Sequence, residues 1–451
     1  WRCFMNPPVA FLPTATDPGL DHQAWLETLE LLEWPLVCQH LSDFTSTRMG
    51  RDAARTLELP VSLAASSQRL AETVEMVVLD DLSEGGLSFR GVVDLRPVLL
   101  RCSKGGVAAG EELLGVAETL AAARRLRRQI DQPDLRPVCT ALIERMVTLP
   151  ELEQRLKFAL EEGGRVADRA SAPLAGLRQQ WQGLRQERRD KLQEMLRRLG
   201  TVLQDTVIAE RHGRPVLAVK AGAVSQVPGQ VHDSSASGST LFVEPRSVLS
   251  IGNRLVDLEA RIRDEERKVL AELSGHVAEE EPTLAQLVLV LLQLDLALAR
   301  GRYGRWLGGV PPQLNDNPDA SFLLHELRHP LLIWQQKKAG GPTVVPISVD
   351  VSSSLRVVAI TGPNTGGKTV TLKSIGLAAL MARAGMLLPC SGQPSLPWCA
   401  QILADIGDEQ SLQQSLSTFS GHVKRIGRIL SALASGPAPA LVLLDEVGAG
   451  T

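Results

Sequence analysis

The sequence predicts a mixed architecture: an all-α body interrupted by an α+β insertion and followed by an α/β domain that stops before completion. Three observations carry this. Apolar residues recur at helical spacing through residues 21–165, as at Leu26 and Leu29, and then at Leu113, Leu114, Ala117, Leu120 and Ala121. Short strand-like runs (Val207-Ile208-Ala209, Val216-Leu217-Ala218-Val219 and Leu241-Phe242-Val243) sit among Gly, Pro and Ser clusters between two charged helical stretches. From Ser321 onward strand-like and helix-like segments alternate.

Taken in order, residues 1–20 carry Pro7, Pro8, Pro13 and Pro18 and read as a flexible leader without the basic region and apolar run of a signal peptide. Residues 21–165 form the first part of a helical core, cut into separate helices by Pro60, Gly85-Gly86, Gly105-Gly106 and Pro133. A long helix is expected from Pro173 to about Leu203. Its apolar stripe is Leu174, Leu177, Trp181, Leu184, Leu192, Met195 and Leu199, beside a locally basic face that includes Arg185, Arg188, Arg189, Arg197 and Arg198. The strand-like runs between residues 206 and 245 then give a small sheet, and a second charged helix covers 250–274, so that 166–275 reads as an inserted arm. Residues 276–320 return to the core. Their apolar stretch 284–299 is interrupted by Gln286, Gln293 and Asp295 and falls short of the roughly 20 apolar residues of a membrane span, so it reads as a buried helix. In the last segment, 321–451, a strand over 356–360, a Gly-rich turn, a helix through Met381 and a buried strand over 440–444 are expected. The end at Thr451, just behind that strand, reads as a truncated C-terminus.

Composition narrows the classes. At 451 residues and 44% hydrophobic, the chain is long enough for two or more domains with ordinary cores. A formal net charge of -3 gives no global basic field, so any nucleic-acid binding must come from a local patch. The six cysteines contain no C-x-x-C pair, which argues against a zinc site and a secreted disulfide framework and for reduced thiols in the cytoplasm. One tyrosine, Tyr303, and few other aromatics make stacking platforms for single strands an unfavourable reading.

The chemistry concentrates near the end. Gly362-Pro363-Asn364-Thr365-Gly366-Gly367-Lys368-Thr369 fits G-x-x-x-x-G-K-[ST] directly behind the apolar run Val357-Val358-Ala359-Ile360. Glycines let the backbone curl so that successive N–H groups face phosphate oxygens, and the following helix presents its positive end. Lys368 adds a cation for the β and γ phosphates of ATP, and Thr369 a hydroxyl for Mg²⁺. Downstream, Leu441-Val442-Leu443-Leu444-Asp445-Glu446 is an apolar strand closing in two carboxylates, Asp445 to hold Mg²⁺ and Glu446 to orient the attacking water. Between the two motifs, Ser417 or Thr418 is placed to cap the helix that carries Val423, Ile426, Ile429 and Leu430, a second anion site.

These segments resemble the three ATPase signatures of the MutS family: Thr361 with the loop 362–369, Ser417-Thr418-Phe419, and Asp445-Glu446-Val447-Gly448-Ala449-Gly450-Thr451. Arg328-His329-Pro330 is similar to the segment that opens the family's ATPase domain. Thr365, Val370-Thr371-Leu372-Lys373-Ser374, Gly407-Asp408-Glu409-Gln410-Ser411, and the arm sequences Gly213-Arg214-Pro215-Val216 and His232-Asp233-Ser234-Ser235 resemble the branch that lacks a mismatch-recognition domain. The resemblance spans about residues 21–451 and implies a helical lever, a clamp arm and an ABC-type P-loop ATPase domain. It also implies a homodimer in which Ser417, Thr418 and Phe419 complete the site of the other subunit, with Gln410 a further candidate for orienting water or Mg²⁺. For function it implies ATP hydrolysis tied to branched DNA in suppressing homologous recombination, and to splitting collided ribosomes through their rRNA. The family's downstream proline, switch histidine, dimerising end and nuclease domain have no counterpart in these residues, so a nucleotide-binding fragment without turnover stays open, as does a mismatch-binding MutS proper.

Other patterns weigh less. Phe242-Val243-Glu244 imitates the Phe-x-Glu of mismatch readers but lies in the arm. His232-Asp233-Ser234 has the residue types of a hydrolase triad, yet neighbours in sequence do not converge on one atom, and a turn is expected there. Val344 and Val345 lie where the family holds adenine, with packing the expected role. Arg211, Arg214 and Lys220, among the arm's strands, are candidates for phosphate contacts that position nucleic acid without reading its sequence.

Overall fold

The protein is seen here in a computed structural model, which describes residues 21–451 except 318–319, 353, 363–366, 407–414 and 446–451, and the backbone alone of 415–420. The expected leader lies outside the described residues. The fold mixes helix and sheet, and the chain divides into two compact units, one of Trp1–Asp94, Thr119–Thr148 and Pro282–Thr451, the other of Leu95–Glu118 and Leu149–Glu281.

The second unit holds α5 (Arg96–Ser103), the start of α6 (Gly110–Ile130), α8 (Pro150–Ala159), α9 (Ala172–Arg198), a four-stranded sheet and α10 (Arg246–Glu279). Ser171 caps α9 by accepting from the Leu174 N–H, and Pro173 sits in its first turn. The apolar stripe of α9 buries Leu177 and Leu184 against Ile251, Leu255 and Leu258 of α10, side chains each worth about 1.5–3 kcal/mol when fully buried. The polar edge of this pair is fastened by Trp181 Nε1, which donates to Glu259 Oε1 at 3.0 Å, and by Arg178, which donates to Glu266 at 2.6 Å. The helix ends at Arg198 instead of about 203, because Leu203 starts β1 (Leu203–Arg211).

That strand, β2 (Arg214–Lys220), β3 (Gly229–Ser234) and β4 (Thr240–Pro245) pair antiparallel in the order β1-β2-β4-β3. The β1–β2 hairpin turns through His212 (φ 51°) and Gly213 (φ 73°), the left-handed pair that two-residue hairpins demand. Leu203, Leu217, Val219 and Val243 fill the inner face against Leu192 of α9 and Val248 of α10. The small sheet expected between helices is therefore present, with one correction: His232, Asp233 and Ser234 belong to β3, not to a turn. Its burial shows no alternation because most of the strand is exposed, so pairing with β4 defines it.

The first unit begins with α1 (His22–Leu31), α2 (Trp34–Ser42), α3 (Arg48–Arg55) and α4 (Leu63–Leu82), and continues with α7 (Pro137–Glu144) and α11 (Glu281–Leu307). Asp21 caps α1 and Ser62 caps α4. By length and composition α11 qualifies as a membrane span, but Leu284, Leu287, Val290, Leu291, Leu294 and Leu298 are inaccessible within this unit. Its buried Asp295 is satisfied by the N–H groups of Ser46 (2.8 Å) and Thr47 (2.9 Å) and the Thr47 hydroxyl (2.6 Å), which fixes the start of α3. The expected buried helix is what forms.

A mixed sheet follows, β5 (Gln313–Asn315), β6 (Phe322–Leu327), β7 (Ile347–Val351) and β8 (Ser391–Pro397), in the order β5-β8-β6-β7. With it come α12 (Pro330–Ala339) and α13 (Lys368–Arg383). The chain then runs β9 (Gln401–Asp405), α14 (Ser415–Ser435) and β10 (Ala440–Leu444), the two strands parallel and in register from Ala440 opposite Gln401 to Leu444 opposite Asp405. Parallel neighbours need a crossover connection, which α14 supplies.

Candidate functional site

The glycine-rich loop was expected to follow a strand. Residues 356–360 instead form no strand, and Val357 is 84% exposed. An apolar run becomes a strand only when its backbone is paired, and no described strand pairs with this one. The same reason leaves β10 less buried than expected: it has β9 on one edge, and of its own side chains only Leu443 is buried.

The loop's ends and the following helix do take the anticipated form. Gly362 (φ 153°) and Gly367 (φ 76°) hold left-hand-side backbone conformations that side chains disfavour. Immediately after Gly367, α13 opens with Lys368 and Thr369, and its first N–H groups have no side-chain cap, the condition under which a helix end receives an anion. Pro363, Asn364, Thr365 and Gly366 lie outside the described residues.

What the fold brings together is Thr369 and Asp445. Thr369 Oγ1 donates to Asp445 Oδ2 at 2.6 Å across 76 positions of sequence. Asp445 is 9% exposed, and its N–H donates to the carbonyl of Asp405 at 2.9 Å, extending the β9–β10 ladder by one residue. The helix is pressed onto the strand: a Cβ added at Gly376 of α13 would stand 2.6 Å from Leu32 Cδ2 and 2.7 Å from Leu443 Cδ1. This close approach seats the first turn of α13 beside the end of β10. Two hard oxygens at a helix N-terminus suit Mg²⁺, which takes one or two protein oxygens and completes its shell with water and phosphate. Among the described residues no group of three His, Cys, Asp or Glu side chains is placed to hold a metal by itself.

Glu446 and Gln410 lie outside the described residues, as do the side chains of Ser417, Thr418 and Phe419. The helix α14 begins at Ser415, so Ser417 and Thr418 stand within its first turn and neither is the cap. In the arm, Arg211 pairs with Asp233 at 3.2 Å and lies 4.0 Å over the Phe242 ring. Arg214 pairs with the fully buried Glu244 at 3.4 Å and donates to Asn253 at 3.2 Å, while Lys220 donates to the Thr201 carbonyl at 3.1 Å. Glu244 also meets His232 Nε2 at 2.8 Å. These cations thus stiffen the small sheet. Val344 is buried and Val345 exposed.

The sequence reading gave several residues no individual role. Lys373, one turn into α13, pairs with Glu33 at 3.1 Å, and the pair borders a cavity of about 300 Å³ lined also by His40, His329, Trp334 and Thr369. His40 stacks on Trp334 with ring centroids 3.8 Å apart. Burial holds the His40 and His329 imidazoles down at about 4, so both are neutral at pH 7. Asp405 closes the apolar run Ile402-Leu403-Ala404 as Asp445 closes the run before it, the same signal applied to one strand and overlooked in the other.

Comparison with known proteins accords with this geometry. Residues 358–451 match the family model described as MutS domain V. Over 94% of its length the chain is 49% identical to the endonuclease MutS2 of a Synechocystis species, covering 54% of that protein. It is 40% identical to the endonuclease MutS2 of Symbiobacterium thermophilum, again over 94% of this chain and 52% of that protein. The chain belongs to the MutS family. Within it, the MutS2 protein of Pelotomaculum thermopropionicum is a further relative, at 38% identity and with 53% of its length covered. The chain thus spans about half the length of these MutS2 relatives, and the family model falls on the segment that joins Thr369 to Asp445.

Proposed function

We propose that the chain is the ATP-binding and clamp-forming part of a homodimeric MutS-type ATPase that acts on nucleic acid in the cytoplasm, with ATP and Mg²⁺ as cofactors. The observation that supports it best is the 2.6 Å contact of Thr369 with Asp445 at the open N-terminus of α13, within the segment matching MutS domain V. In this reading residues 21–165 and 276–320 are the lever, 166–275 the clamp arm and 321–451 the ATPase domain.

The backbone N–H groups of residues 362–367 other than Pro363, which has none, would cradle phosphate oxygens, Lys368 would meet the β and γ phosphates, and Thr369 and Asp445 would hold Mg²⁺. Bound there, Mg²⁺ would offset phosphate charge. Glu446 orients the attacking water, with Gln410 beside it, and Ser417, Thr418 and Phe419 of a second copy complete the site. Closure of two copies around ATP draws the arms together and hydrolysis releases them. The arms engage a phosphate backbone, that of branched DNA in recombination or that of rRNA in a collided ribosome, with Arg211, Arg214 and Lys220 as contacts.

The natural full-length protein tests this when ATP turnover is followed with branched DNA and with ribosomes as stimulators. Stimulation by one polymer alone selects the target. Glu446→Gln is expected to bind ATP and turn it over negligibly, and normal turnover in that variant would remove Glu446 from the chemistry.

A further inference from the structure

Asp405 ends β9 with its carboxylate buried, the residue being 2% exposed. That carboxylate receives two partners from a single helix: His422 Nδ1 lies 3.0 Å from Oδ2 and 3.1 Å from Oδ1, and Arg425 Nε donates to Oδ1 at 2.6 Å. Both partners sit on α14, in the two turns that follow Ser417, Thr418 and Phe419. The backbone of the same Asp405 receives the Asp445 N–H at 2.9 Å. One residue therefore ties the strand end that presents the Mg²⁺ carboxylate to the helix that presents the signature segment.

A buried carboxylate held by a guanidinium and an imidazole is a stiff joint. The charged acceptor strengthens each hydrogen bond, and burial keeps water from replacing them. Farther from its N-terminus α14 is held by apolar packing of Ile429 and Ala432 on Leu403 and Ala24, and by Arg428, which pairs with Glu27 at 2.7 Å. Among the described contacts of α14, the joint at Asp405 thus lies nearest the end of the helix that contains the signature segment.

Resting on the ATPase reading above, we propose that Asp405 is a positioning residue that acts through His422 and Arg425 to aim the signature segment of its own subunit at the nucleotide of the other. Asp405→Asn keeps the backbone carbonyl under Asp445 and the side-chain shape, and removes the charge that Arg425 and His422 face. Its consequence belongs to the opposite subunit, which separates it from a defect in local folding.

The test uses full-length heterodimers purified over two affinity tags, each with one phosphate loop disabled by Lys368→Ala. The reference pairs an unmodified subunit with a Lys368→Ala subunit. Asp405→Asn placed on the Lys368→Ala subunit faces the working loop and is expected to lower turnover at least about tenfold with ATP affinity held within about threefold. Placed on the subunit with the intact loop, it is expected to leave the reference rate within about twofold. The reverse pattern, equal losses in both placements, or loss of ATP binding by Asp405→Asn alone would each overturn the inference while leaving the ATPase reading standing. Absence of ATP binding by the unmodified protein would overturn both. If Asp405→Asn fails to fold, Arg425→Met in the same two placements decides by the same ratio.

Discussion

Replacing Thr369 by valine removes one hydroxyl and preserves the shape of the side chain, so its effect is legible in terms of a single oxygen. In the structure that oxygen donates to Asp445 Oδ2 at 2.6 Å, and Asp445 is 9% exposed. A hydrogen bond to a charged group contributes about 1.5–3 kcal/mol, which in binding corresponds to about 10- to 150-fold. Without divalent cation, the hydroxyl is occupied by Asp445 whether or not nucleotide is present, so the variant should bind ATP within about threefold of the unmodified protein. With Mg²⁺, the unmodified protein gains a ligand that the variant lacks, and the variant's affinity should fall by about the full 10- to 150-fold. Equilibrium titration with a fluorescent ATP analogue, run in parallel in Mg²⁺ and in EDTA, reads both. An equal loss in the two buffers would show that the hydroxyl serves the phosphate and not the cation. No loss in Mg²⁺ would remove Thr369 from the cation site.

Two further outcomes follow from burial. His329, 5% exposed, is held at about 4 against an ordinary 6.5, chiefly by burial, with Glu33 opposing and Lys373 assisting. The unfolded chain therefore takes up this proton first as pH falls. The stability associated with neutral His329 is complete above pH 6.5 and is lost progressively down to about pH 4, by up to about 3 kcal/mol. Urea midpoints at pH 7 and pH 5 should differ in this direction, and His329→Phe should narrow the gap; an unchanged gap would refute the assignment. The thiols of Cys38, Cys390 and Cys399 are pushed up to about 12 by burial, so at pH 8 iodoacetamide should leave them unmodified in native protein and label them in guanidinium. Labelling of all three in native protein, read by mass spectrometry, would contradict the packing.

The parts of this fold that announce themselves in sequence are those whose cause is local. Pro173 and the 3–4 spacing of Leu174, Leu177, Trp181 and Leu184 mark α9 because a helix buries one stripe. The apolar runs around Ile208, Leu217 and Phe242 mark three arm strands, and the glycines before Lys368 mark the start of α13. What was misread depends on partners far away. Residues 356–360 carry the composition of a buried strand and have no described strand beside them to pair with. His232 and Asp233 carry the composition of a turn and are made into β3 by β4. Thr369 and Asp445 can each be assigned to Mg²⁺ from sequence because both lie in recognisable motifs, whereas the hydrogen bond between them is seen only in the fold. The bond between Glu33 and Lys373, 340 positions apart, has no local signature at either end. Asp405 with His422 and Arg425 is an intermediate case: Asp405 closes an apolar strand and the other two stand three positions apart on α14, but only the packing of α14 on β9 puts them within reach.

The most direct test of the account is ATP binding by the protein with Mg²⁺ present, measured against Lys368→Ala. Saturable binding that the Lys368→Ala change abolishes is the result predicted by a phosphate site at the N-terminus of α13. Binding of equal affinity in both proteins, or in neither, would contradict it.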